Sequence, residues 1–338
     1  MSRLPVAGRE SAGHWRCAGK FLRRRPVHAR LTARARLPCC PSRDRRTCFI
    51  IRASQVAATE ARPVSDTDQV PPGVDPDIPS PARMYDFYLG GTENFEVDRI
   101  AAAKVKMAMP EAEDAAWANR GFLQRAVRWL ALHDIRQFID VGAGLPTRNN
   151  THDAAQVVAP EARVLYADND PMVRAHAQKL LTGVNGTAFI QADFRDPEGL
   201  LAHPVTQETI DFTQPVALLV VALTHFVPDA DDPWGVIRRY MDRLAPGSYL
   251  ALSAGTHDRQ AERAVSGLKD AYSKSSANVH TRSREEIARY FDGLEIVPPY
   301  KGAAPDLVYA GEWGAEDPEA ADSDGSRWSY CAVARKPA

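Results

Sequence analysis

The chain has 338 residues, enough to bury a sizeable core in one large domain or two small ones. Its composition is that of a globular protein, and its longest apolar run, around Val216 to Leu223, is too short for a membrane-spanning helix, so no membrane partner is expected. The net charge of −1 hides a split: residues 1–52 carry thirteen Arg and one Lys against only Glu10 and Asp44, leaving 28 basic and 41 acidic residues in the remainder. An acidic body argues against a nucleic-acid partner, because phosphate binding rests on clustered Lys and Arg.

The Arg-rich head has neither helix nor strand periodicity. Its charge would suit a nucleic-acid arm, a tether to anionic membranes or a transit peptide, but it lacks the apolar core of a secretory signal. The plainest reading is an unstructured head, or a mis-assigned start with translation beginning near Val70. Four cysteines, Cys17, Cys39, Cys40 and Cys48, lie in this head and Cys331 stands alone, with no CxxC pair. The body therefore reads as cytoplasmic, free of disulfides and without a metal site. Between Ala53 and Pro81 the chain is rich in Pro, Asp and Ser, as expected of an extended linker. Residues 1–78 are thus read as disordered head and linker, and 79–338 as one domain.

Within that domain, apolar spacing predicts a helix over Ala115 to Leu132, with Trp117, Phe122, Val127 and Leu130 on a shared face. Strands follow at Gln137–Val141, Arg163–Ala167, Ala188–Gln191, Val216–Leu223 and Tyr249–Ser253, separated by helical stretches at Thr151–Val158, Met172–Leu181 and Pro233–Leu244. A polar helical region covers Asp258–Ser275, and a short helix Ser283–Phe291. A sixth strand at Leu294–Val297 and a last one at Trp328–Ala334 enclose an acidic stretch, Glu312 to Asp324, that reads as a solvated loop. This alternation predicts an α/β fold: a Rossmann-like, seven-stranded, mostly parallel sheet with an antiparallel last strand and helices on both faces.

Three strand ends carry the chemistry. The turn Asp140-Val141-Gly142-Ala143-Gly144 follows a buried strand, and its glycines let backbone pass close to a ligand beyond the sheet. Thr147 stands where a dinucleotide fingerprint wants a third glycine, which disfavours NAD. Asp168 closes the next strand 24 residues after Gly144, near the spacing at which an acid accepts ribose hydroxyls. Asp170, before Pro171, suits a helix N-cap better. Asp193 and Phe194 close the third strand, where a carboxylate can accept an adenine amino group.

The succession IDVGAG, YADND, QADFRDP, LVVALTHFVPD and LAPGSYLALS is similar to the motifs of class I S-adenosylmethionine (SAM)-dependent methyltransferases. Pro79 to Gly91, with Glu93-Asn94-Phe95 and Asp98-Arg99, resembles more narrowly a bacterial family described as S-adenosyl methyltransferase, formerly a domain of unknown function. That family commonly reads GLPT where this chain has Gly144 to Thr147. The resemblance implies SAM as cofactor, with Asp140, Gly142 and Gly144 around its methionine part, Asp168 on the ribose, Asp193 and Phe194 at the adenine, and Leu223 and Thr224 beside the transferred methyl. It also implies a bacterial, cytoplasmic enzyme. The absence of an Asn-Pro-Pro-Tyr tetrapeptide, used by amino-directed nucleic-acid methyltransferases, points to a small-molecule or unusual acceptor.

His225 is the candidate general base, because imidazole titrates near working pH. Residues 79–132 are expected to form a helical lid, with Arg83 and Tyr85 on the acceptor side; alternatively the tyrosines pack this segment and Arg83 holds a carboxylate. Two other functions fit the same architecture: a non-catalytic SAM-binding regulator, and an NAD-linked oxidoreductase.

Overall fold

Strand Gln137–Val141 (β1) is buried along its whole length and lies inside a parallel array, because its apolar residues must be covered on both faces. The computed structural model describes residues 70–146 and 149–338; the head and most of the linker expected at 1–78 lie outside them. Ahead of β1 come three helices, α1 (Pro81–Tyr88), α2 (Glu96–Ala108) and α3 (Ala112–Leu132). After it the chain runs through α4 (Thr151–Gln156), β2 (Arg163–Asp168), α5 (Pro171–Leu180), β3 (Thr187–Gln191), α6 (Pro197–Ala202) and α7 (Pro204–Thr209). It continues as β4 (Ala217–Val221), α8 (Pro233–Arg243), β5 (Tyr249–Gly255), α9 (Glu262–Tyr272) and α10 (Arg284–Ala288). The last elements are β6 (Glu295–Ile296), β7 (Val308–Tyr309), α11 (Pro318–Ala321) and β8 (Ser329–Arg335).

The sheet order is β3-β2-β1-β4-β5-β8-β6, with β1 to β5 parallel and β8 antiparallel to β5. Strand order reverses between β1 and β4, so a crevice opens at the carboxyl ends of those strands. All seven expected strands are present, and an eighth, β7, corrects the count. It pairs with the same edge of β8 as β6, further along (Glu295 opposite Arg335, Val308 opposite Cys331). Pro298 and Pro299 have no N–H to donate, so the edge strand breaks ahead of them and resumes at Val308.

Side chains alternate between two cores. Leu165, Leu218 and Leu250 face one layer with Ile237 and Tyr240 of α8, whereas Val164, Leu219 and Phe138 face the other with Phe122 and Leu130 of α3. Trp117, expected on the apolar face of α3, is 56% exposed. Five residues of helix separate it from Phe122, a rotation of about 140° that carries it off the buried stripe. No helix among the described residues is long and apolar enough to cross a membrane.

The acidic stretch expected as a solvated loop is partly core. Trp313 is fully buried, edge-on to Phe122 and Trp129 at centroid distances of 5.7 and 6.0 Å. Arg125 fixes the loop by donating to the carbonyls of Trp313 (2.6 Å), Ala310 (2.8 Å) and Gly311 (3.0 Å). A single tryptophan among acids carries no periodic signal, which is why the sequence reads as solvent-facing. Trp313→Ala is expected to lower the free energy of unfolding by about 3–5 kcal/mol in a denaturant titration. A change within about 0.5 kcal/mol, the range of surface substitutions, would show that the loop is not part of the core.

Candidate functional site

The crevice at the carboxyl strand ends is a cavity of about 840 Å3. Its wall begins with the turn after β1. Gly142 has φ +70°, and a Cβ there would meet the Leu223 side chain at 2.7 Å, so only glycine allows the turn to lie against the end of β4. Gly144 has φ +67° and nothing within 4 Å of where its Cβ would stand. Its missing side chain leaves cavity space beside the backbone.

Two buried carboxylates flank this turn. Asp140, at the end of β1, accepts from the Thr151 hydroxyl, and burial pushes its pKa up to about 6 against the opposing effects of Thr151 and Arg120. Asp168, the last residue of β2, accepts from the backbone N–H of Gly144 through Oδ2 and of Asp170 through Oδ1, both at 2.9 Å. Burial raises it also to about 6, in spite of those two donors. Asp170 caps α5 by accepting from the Met172 N–H (2.8 Å), the role its sequence context predicts, and also accepts from the Ser80 hydroxyl (2.7 Å).

Asp193, after β3, is gripped by Arg195 through Nε (3.0 Å) and Nη2 (2.7 Å), which holds its carboxyl below the ordinary range. Phe194 is buried and stacks on Tyr240. Both line the cavity.

At the end of β4 the backbone is strained: Ala222 has φ +56°, held by hydrogen bonds from its N–H to the Ser253 carbonyl (3.2 Å) and hydroxyl (3.0 Å). Leu223 and His225 then face the cavity, but Thr224 does not line it; its side chain is fully buried behind the wall. The geometry corrects the reading of His225 as general base. Its Nδ1 accepts from the Gly255 N–H (3.1 Å), which leaves the proton on Nε2. Burial, with the Arg282 guanidinium adding positive charge nearby, pushes its pKa down to about 3. It is therefore a neutral hydrogen-bond donor at working pH.

Arg282 and His280 carried no sequence signal, since they lie in a polar stretch without periodicity. Arg282 is buried and clamps the turn after β4 by donating to the carbonyls of Thr224 (2.8 Å) and Val227 (2.7 Å) and to Asp229 (2.7 Å). His280 lines the cavity and donates its backbone N–H to the His225 carbonyl (2.7 Å).

The segment around α1 closes the site. Arg83 lines the cavity, yet its Nε donates to Asp98 at 2.7 Å in an ion pair with both side chains almost wholly buried, and its Nη2 donates to the Ile78 carbonyl. Asp98 also accepts from the N–H groups of Ser80 (2.9 Å) and Phe95 (2.8 Å). The guanidinium is thus committed to a structural clasp, and the acceptor-side expectation for Arg83 is corrected in favour of the carboxylate-holding alternative. Tyr85 lines the cavity; it donates to the Ala116 carbonyl and accepts from Asn119, each at 3.0 Å. Asn119 in turn accepts from the hydroxyl of Ser253, so one buried chain joins α1, α3, β5 and the strained end of β4. Gly73, Val74, Asp75 and Ile78 also line the cavity, upstream of the expected domain boundary at 79.

The residues present fit SAM: a glycine cradle open to the cavity, and buried acids at successive strand ends beside it. Comparisons with known proteins agree. The profile of a family described as S-adenosyl methyltransferase matches residues 67–337. The crystal structure of a candidate methyltransferase from Thermobifida fusca is similar at 38% identity and a TM-score of 0.72, over 79% of this chain and 98% of that one. A DUF574 family protein from Streptomyces avermitilis is similar at 39% identity and a TM-score of 0.72, over 78% of this chain and 99% of that one. Among curated proteins, none matches. The chain belongs to the S-adenosyl methyltransferase family, with SAM as its methyl donor.

Proposed function

We propose that the cavity transfers the methyl group of SAM to a small-molecule acceptor, with Asp168 as the residue that fixes the cofactor. The observation that carries this reading is the buried Asp168 carboxylate. Each of its oxygens is aimed by one backbone N–H and keeps a further lone pair for a ribose hydroxyl at the cavity wall. Asp140, with the Gly142–Gly144 turn, would hold the methionine part, and Phe194 and Leu223 the adenine and methyl ends. Asp193 would meet the adenine amino group with the oxygen capacity Arg195 leaves.

SAM supplies an electrophilic methyl on a sulfonium, so the protein's work is to place the acceptor behind it and exclude water. The neutral His225 suits positioning by donation from Nε2. Helices α1 to α3, residues 79–132, would wall the acceptor end as the lid. A small acceptor accords with the size of the cavity, and the acidic body does not suit nucleic acid. A cytoplasmic, bacterial setting is part of the same proposal, supported by the Thermobifida and Streptomyces relatives.

Asp168→Asn is expected to weaken SAM binding by about tenfold or more in isothermal titration, since a buried charge-assisted pair becomes a neutral one. Unchanged affinity in the folded variant would remove Asp168 from the cofactor site.

The raised pKa values fix the direction of the pH dependence. Acids titrating at about 6 in the folded chain take up protons as pH falls through 6, and the cofactor's donors need the charged forms. SAM affinity should therefore drop progressively below pH 6. The SAM-free protein gains stability from the same protonations, a contribution that is full at low pH and lost as pH rises through 6. Titrations between about pH 5 and 8 check this; affinity rising on acidification would contradict it.

A further inference from the structure

The cavity has two ends of different chemistry. Its charged lining residues come from the segment ahead of α1, from the turns after β1, β2 and β3, and from Arg83 and Arg120. Arg83 is tied to Asp98, and Arg120 donates to the Asn149 carbonyl and the Asn150 side chain. The other end is walled by α2, the first turn of α3, α9 and the segment following α9, where Val105, Met109, Leu268 and Tyr272 line it. These four belong to one apolar cluster that also contains Tyr88 and Trp328. The polar lining groups at this end include hydroxyls, amides and imidazoles: Tyr85, Asn119, Ser276, Asn278, His225 and His280. None of the carboxylates and guanidinium groups lining the cavity belongs to α2, α9 or the segment following α9.

Small-molecule sites run to roughly 300–1,000 Å3, so a cavity of about 840 Å3 has room for a second ligand beside a nucleoside-sized one. A charged molecule entering the apolar end would lose hydration and find no counter-ion on α2, α9 or the segment following α9. A flat aromatic body would exchange water for the rings of Tyr88, Tyr272 and Trp328. The polar groups beside it can orient one hydroxyl.

Given the methyl-transfer reading on which it rests, we propose that this chamber takes a neutral aromatic compound bearing a hydroxyl as methyl acceptor and rejects carboxylate and amine congeners of the same shape. The acceptor oxygen bonds to the methyl carbon as the carbon–sulfur bond breaks, its electron pair going to sulfur. The hydroxyl proton passes to the imidazole of His280. That side chain makes no hydrogen bond among the described residues, whereas the Nδ1 of His225 is engaged by Gly255.

Isothermal titration of the full chain saturated with S-adenosylhomocysteine tests the assignment, with naphthol, naphthoate and naphthylmethylamine as probes. Naphthol should bind saturably, and the two charged probes at least about tenfold more weakly. Leu268→Trp and Met109→Trp, which fill the chamber, should each abolish naphthol binding while S-adenosylhomocysteine still binds. Charged probes that bind as tightly as naphthol, or naphthol binding that survives both substitutions, would overturn the proposal. Binding of S-adenosylhomocysteine without any naphthol binding overturns the chamber assignment alone. Failure of the unsubstituted chain to bind S-adenosylhomocysteine overturns the methyl-transfer reading, and the chamber assignment with it.

Discussion

Burial of the two carboxylates, Asp140 and Asp168, at the ends of adjacent parallel strands is the constraint around which the site is arranged. Charged groups in such a place are costly unless hydrogen-bond donors meet them. The turn after β1 supplies one, the Gly144 N–H, and it reaches Asp168 only because Gly142 and Gly144 adopt positive φ. The turn, the acid and the end of β4 are therefore fixed together: Gly142 packs on Leu223, and the strained Ala222 brings Leu223 to the wall. Burial raises both carboxyls to about 6, more than the donors from Thr151, Gly144 and Asp170 offset. A ligand that donates to these oxygens would add to that offset.

The same logic explains the segment ahead of the sheet. The Arg83–Asp98 pair sits at 3% and 0% side-chain exposure, and Asp98 gathers two backbone donors as well. Ser80 connects that clasp to Asp170, the cap of α5 just beyond Asp168. The start of α5 and the segment around α1 are thus linked by hydrogen bonds, and the chain from Tyr85 through Asn119 to Ser253 forms a second link. Most of the N-terminal signature residues hold this framework together.

What was legible in the sequence follows from locality. Strand–helix alternation, the glycine turn and the Asp170 cap are decided within a few residues, and the structure has them in the expected places. The misreadings concern residues whose roles are decided by distant partners. His225 is held neutral by burial and by Arg282, and the turn it sits in is clamped by the same Arg282, 58 residues from Thr224. Thr224 follows a left-handed residue that a β-strand reading to Leu223 did not anticipate, so its side chain turns inward. Trp313 differs from its sequence reading for the same reason: a polar neighbourhood in sequence becomes a buried one in space.

The central claim is that Asp168 and the Gly142–Gly144 turn hold SAM so that its sulfur faces the chamber behind Tyr85 and His225. A crystal structure with bound S-adenosylhomocysteine tests this most directly. The account predicts both ribose hydroxyls within hydrogen-bond distance of Asp168 and the sulfur directed toward the apolar end. A ribose held elsewhere, or a sulfur directed away from that end, would contradict it.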